Sequence, residues 1–105
     1  MHLTSFLVDG KLTIALTGEI DHHCAKEYID LIASKIEAYS PSGCTLDFRD
    51  VTFMDSSGIA VVINTLRNMT RLEGRLILTG IREQPMKVFH TSGIDKLVEI
   101  KEEVI

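Results

Sequence analysis

The sequence predicts an α/β fold on a mixed sheet, and three observations carry that prediction. Two short apolar runs, 3–8 and 11–17, are separated by Asp9-Gly10, a dipeptide that readily takes the positive φ angles of a two-residue hairpin turn. Further along, apolar stripes at three- and four-residue spacing alternate with runs of period two, as helices alternate with strands. A hairpin followed by helix–strand units gives a sheet that is parallel in its later part, with right-handed crossovers.

In 11–17, Leu12, Ile14 and Leu16 alternate with Thr13, Ala15 and Thr17, so one face is apolar and the other small or polar, as in a half-buried strand. Gly18 is read as breaking this strand. Asp21 then caps a helix over 22–39, with a core stripe of Ala25, Ile29, Ile32, Ile36 and Tyr39, and Ser40-Pro41-Ser42-Gly43 ends it. Cys44, Leu46 and Phe48 open a third strand, with Asp47 and Arg49 between them; Asp47 and the nearby Asp50 are read as structural or solvated. A second helix over 57–72 buries Ile59, Val62, Ile63, Leu66 and Met69. Its β-branched residues lower helix propensity, so packing must hold it, and Gly74 supplies a left-handed stop. A fourth strand follows over 75–79. Pro85 fits the first turn of a short helix that closes near Gly93, with His90 a favourable cation at its C-terminal end, and a last strand over 98–100 precedes an acidic end. The expectation is one domain over 1–105, with four to five strands and about four helices.

At 105 residues, 45% apolar and 25% charged, the chain suits one core and leaves no room for a separate catalytic module. A formal charge of −4 without a Lys/Arg stripe argues against direct nucleic-acid binding. Cys24, placed in the first helix, and Cys44, placed in a central strand, belong to no CxxC or Cys/His pattern; both are read as free, buried thiols of a reducing cytosol. The N-terminus lacks a basic region followed by a long apolar run, and no segment has the roughly 18 apolar residues of a membrane span. The chain is expected to be soluble and cytoplasmic. Adjacent His22 and His23 would point apart on a helix and have no further ligands at metal-binding spacing, so neither a metal nor another cofactor is expected; exposed, partner-facing imidazoles are.

The informative segment runs from Asp47 through Met54-Asp55-Ser56-Ser57-Gly58-Ile59, where a strand passes through a short loop into a helix. The first N–H groups of a helix lack internal partners and favour an anion, so a phosphate on Ser56 would be well placed. Gly58 would let another backbone or a nucleotide approach closely. The plainer alternative is that Asp or Ser here only caps the helix. The two roles are compatible.

Asp55-Ser56-Ser57-Gly58-Ile59, preceded by Phe53-Met54, resembles the signature of the STAS domain in bacterial anti-sigma factor antagonists. Gly18-Glu19-Ile20-Asp21-His22-His23 is similar to a second motif of that family, and His90-Thr91-Ser92-Gly93-Ile94-Asp95-Lys96-Leu97 to its closing segment. The Asp-His-His run is most like the sporulation branch. The only difference noted is Ile59-Ala60 where the family often has Leu-Gly, which keeps an apolar position.

The resemblance implies a STAS fold and a non-enzymatic role. In the family, the serine corresponding to Ser56 is phosphorylated by the anti-sigma factor, itself an ATP-dependent kinase, and a PP2C-type phosphatase reverses the modification. The unmodified form binds the anti-sigma factor, which carries ADP or ATP, and frees the sigma factor. Asp21, His22, His23, Asp55, Ser56, Ser57, Gly58 and Ile59 are then the expected partner surface. Asp21 is expected beside the Ser56 loop because both loops follow neighbouring strands, either as a cap alone or as a cap that also meets the partner. Two other readings stay open. One is an enzyme with Ser56 as nucleophile, for which no Gly-x-Ser-x-Gly elbow, base or oxyanion site can be assigned. The other is a STAS module that senses a ligand or serves a signalling or transport assembly.

Overall fold

The computed structural model describes residues 2–102. Strands β1 (His2–Val8) and β2 (Lys11–Ile20) form the expected hairpin, with Val8 opposite Lys11 and positive φ at Asp9 and Gly10. β3 (Gly43–Met54), β4 (Arg75–Thr79) and β5 (Glu99–Lys101) each add in parallel to the preceding strand, giving one sheet of order β1-β2-β3-β4-β5. The helices are α1 (Ala25–Tyr39), α2 (Ser57–Arg71) and α3 (Glu83–Ser92), and Ile94–Lys96 forms a single 3₁₀ turn. Among the described residues there are thus three α-helices where about four were expected. A three-residue segment cannot close a row of α-helical bonds, and this one leads directly into β5. Of the acidic end expected after the last strand, residues 103–105 lie outside the described residues.

Alternation decides which sheet face carries the core. Leu12, Ile14, Leu16, Cys44, Leu46, Phe48, Leu76 and Leu78 are buried, whereas Thr13, Ala15, Thr45 and Ile77 are only half-buried. The helices lie on the first face; Phe89 of α3, for example, meets Phe48 edge to face with centroids 5.4 Å apart.

Four local expectations are corrected. β2 passes through Gly18, whose φ of 96° lies beside register shifts in the β2–β3 ladder, so this glycine bends the strand without ending it. On α1 the core position is Tyr28, with its hydroxyl donating to the Thr17 carbonyl at 2.8 Å, while Tyr39 at the helix end is 51% exposed. On α2 the buried stripe is Gly58, Val61, Val62, Thr65 and Met69; Ile59, Ile63 and Leu66 are half-buried. The Thr65 hydroxyl can lie inside because it donates to the Val61 carbonyl at 2.8 Å. Finally, the left-handed residue after α2 is Glu73, at φ 58°, and not Gly74. Glu73 N–H donates to Thr70 and Gly74 N–H to Met69, a Schellman closure. Gly74 is needed for space, since a Cβ there would lie 2.8 Å from the Ser42 carbonyl oxygen.

Candidate functional site

β2 and β3 outrun the rest of the sheet. β4 accompanies β3 only to the pair Asp47–Thr79, whereas β2 stays beside it to the pair Ile20–Met54. The far end of β3 therefore lacks its second neighbour, and the first turn of α3 takes that place. Gln84 acts as a strand surrogate: its Oε1 accepts the Met54 N–H at 2.8 Å and its Nε2 donates to the Met54 carbonyl at 2.8 Å. Arg82 Nε donates to the Arg49 carbonyl at 2.6 Å. Backbone polar groups left without a strand partner are thus paired by side chains where the ladder has ended.

The two loops that leave these strands lie together, as expected. The Asp55 N–H donates to the Ile20 carbonyl at 3.1 Å, continuing the β2–β3 ladder by one bond. On the β2 side, Asp21 Oδ1 accepts N–H bonds from His23 at 3.0 Å and Cys24 at 3.3 Å, and the Asp21 carbonyl accepts that of Ala25 at 2.9 Å. Asp21 therefore closes a turn that α1 extends from Ala25, three residues later than expected. Slight desolvation alone would raise its pKa, but the hydrogen bonds from Cys24 and His23 outweigh it and hold the carboxyl below the usual carboxylate range. Because residues 22–24 form a turn and not a helix, His22 and His23 do not point apart: their exposed rings lie together, tilted by 37° with centroids 4.0 Å apart.

On the β3 side, Ser56 is exposed and already has helical φ and ψ of −62° and −18°. Asp55 Oδ1 accepts the Ser57 N–H at 2.8 Å, and the Asp55 carbonyl accepts that of Gly58 at 3.0 Å. The expectation of waiting helix-end donors is corrected to this extent: a carboxylate already occupies the first of them. Among the described residues, no partner hydrogen-bonds to the Ser56 hydroxyl, and no base is oriented on it; His90 pairs instead with Asp95 at 2.6 Å. Gly58 is buried. A Cβ there would lie 2.3 Å from both Cγ and Sδ of Met54, so the close approach comes from the protein's own core and not from a partner. Asp21, His22, His23, Asp55, Ser56, Ser57 and Ile59 are all at least partly exposed. Ser56 and Ile59 also line a concavity of about 360 Å³ with Lys87, Val88, Thr91 and Ser92 of α3.

Asp47 Oδ1 accepts the Arg49 N–H at 2.9 Å, a local structural role, and Asp50 is exposed. Cys24 precedes α1 and is half-buried, with Sγ donating to the Glu19 carbonyl at 3.2 Å, so it is neither helical nor fully buried as expected. Burial, assisted by the adjacent Asp21 carboxylate, raises its thiol pKa; burial alone pushes Cys44 up to about 12. Gln84 and Arg82 were missed in the sequence. No periodicity or motif marks them, because their roles depend on where β4 stops.

The family model for the STAS domain matches residues 7–104. An anti-sigma F factor antagonist of Lysinibacillus sphaericus is 31% identical over 83 residues, covering 79% of this chain and 71% of that protein. The structure of the anti-sigma factor antagonist SpoIIAA in its unphosphorylated form superimposes with a TM-score of 0.84 at 27% identity, over 98% of this chain and 89% of that one. The phosphorylated form of the Bacillus cell fate determinant SpoIIAA superimposes with a TM-score of 0.75 at 27% identity, over 98% and 92% of the two chains.

Proposed function

Because the chain belongs to the STAS domain family, we propose that it is a cytoplasmic anti-sigma factor antagonist of the sporulation type, switched by phosphorylation of Ser56. The observation that carries this reading is an exposed hydroxyl, free of internal hydrogen bonds among the described residues, on a loop fixed at its β3 end by Asp55–Ile20 and Gln84–Met54 and at its α2 end by Ser57–Asp55. Such a loop presents Ser56 to a kinase without exposing the core. The partner is a kinase-type anti-sigma factor. It transfers the γ-phosphoryl group of ATP to Ser56 Oγ, the hydroxyl proton is lost and ADP is released. A PP2C-type phosphatase hydrolyses the ester back to serine and inorganic phosphate.

The physical basis of the switch is local. Phosphorylation adds about 1.5 to 2 negative charges. Ser56 sits between the Asp55 carboxylate and the N-terminus of α2, whose first N–H already serves that carboxylate. In free protein the added charge remains in water. Against a partner that desolvates this loop the dianion loses hydration that the partner surface does not replace, at a cost on the order of several kcal/mol. About 3 kcal/mol weakens binding more than a hundredfold, with no rearrangement of the fold. Asp21, His22 and His23, in the adjacent loop, extend the same partner surface.

Mass spectrometry after incubation with a cognate anti-sigma kinase and ATP tests the acceptor. One phosphate mapped to Ser56, and absent from Ser56→Ala, supports the reading. No phosphate from a kinase preparation active on another antagonist points to a ligand-sensing or scaffold module.

A further inference from the structure

Among the described residues, Ser56 shares its concavity with one cation, Lys87. The other lining side chains are Ile59 and Val88, which are apolar, and Thr91 and Ser92, which carry hydroxyls. Lys87 projects from α3 and pairs with Glu83 one turn earlier at 3.5 Å, with both side chains at least 75% exposed. Exposed i, i+4 pairs of this kind are weak, so the ammonium can exchange partners at little cost. On the other side of Ser56, Asp55 Oδ1 holds the Ser57 N–H at 2.8 Å. A phosphate on Ser56 Oγ could reach that amide only by displacing the carboxylate, and the two anions repel each other.

Resting on the reading of Ser56 as phosphoacceptor, we propose that Lys87 is the phosphate-holding residue of the switch. On phosphorylation its ammonium leaves Glu83 and pairs with the phosphoserine dianion across the concavity. The charged groups around the phosphate are Asp55 at the start of α2, Asp21, His22 and His23 in the neighbouring loop, and Glu83, Lys87 and His90 on α3. Lys87 is the cation among those lining the concavity itself. The pairing does two things: it favours the dianion, and it draws a charged side chain over the apolar floor of Ile59 and Val88, closing a cleft that is open before modification.

The test is ³¹P NMR titration of protein carrying phosphoserine at position 56, installed during translation so that no kinase is needed. Loss of the Lys87 cation in Lys87→Ala should raise the second phosphate pKa by about half a unit, the size of a surface ion pair. Lys87→Arg should keep the wild-type value, and Lys101→Ala on β5 should leave it unchanged. A Lys87→Ala titration that overlays wild type, or shifts no more than Lys101→Ala, overturns the proposal. Failure of a kinase to modify Ser56 would count against the functional reading and leave this titration unaffected.

Discussion

The backbone N–H of Asp55 donates to the carbonyl of Ile20 at 3.1 Å, so the loop carrying Ser56 and the loop carrying Asp21 leave the sheet as neighbours. One hydrogen bond beyond the last paired residues of β2 and β3 thereby assembles two sequence-distant motifs into one surface. Asp21 and Asp55 each close the turn that follows them with a side-chain carboxylate, and Gln84 of α3 holds the Ser56 loop further at Met54.

Gly58→Ala is expected to destabilise the protein by about 1–3 kcal/mol, the cost of overpacking, because its Cβ would lie 2.3 Å from fully buried Met54. Met54→Ala alone leaves a cavity and is expected to cost about 2–5 kcal/mol. The double variant should cost less than the sum of the two, since the smaller side chain admits the added methyl. Urea denaturation of the four proteins gives the cycle, and additive costs would show that the two positions do not meet.

Gln84→Ala removes both side-chain bonds to Met54 and leaves its N–H and carbonyl without these partners. The expected cost is about 1–3 kcal/mol. Hydrogen exchange should localise the effect, with the Met54 amide exchanging faster while amides of the β1–β2 hairpin, remote from α3, change only as far as global stability does. Gln84→Glu keeps the acceptor for the Met54 N–H but sets a carboxylate against the Met54 carbonyl, so it should be destabilising at neutral pH and recover in part when protonated.

The Asp21 turn should be acid-sensitive in a defined direction. Its folded pKa is below the ordinary value, so the stabilisation is fully present above about pH 4, where the unfolded carboxyl is ionised, and is lost as pH falls through the lower folded value. NMR titration should show the His23 and Cys24 amides moving together at a midpoint below that of a free aspartate. In Asp21→Asn these movements should disappear. A midpoint at or above the ordinary value would contradict the hydrogen-bonded turn.

Cys44, buried in β3 with its pKa pushed up to about 12, should resist iodoacetamide at pH 8 in the folded protein and react on unfolding. Cys24 is half-buried and also raised, so it should react slowly but ahead of Cys44. Peptide mapping after timed alkylation distinguishes the two.

Much of this was legible in the sequence because local chemistry and period agreed there. Asp9-Gly10 specified the hairpin, and Leu12, Ile14 and Leu16 specified the buried face of β2. The neighbouring placement of Asp21 and Ser56 followed from parallel order alone. Tyr28 was missed because its value as a core residue depends on a carbonyl eleven positions away that accepts its hydroxyl. Gly18 and Gly74 were misread because a glycine signals freedom or space without saying which. Gln84 and Arg82 were invisible because they serve the end of β3, and the sequence carries no sign that β4 stops short of it.

The central claim, that a single phosphate on Ser56 controls partner binding, is tested most directly by isothermal titration of the cognate anti-sigma factor with unmodified protein and with protein carrying phosphoserine at 56. The account predicts tight binding of the unmodified form and an affinity at least a hundredfold lower for the phosphorylated form, with the two far-UV circular dichroism spectra superimposable. Equal affinities, or a loss of binding accompanied by a changed fold, would contradict it.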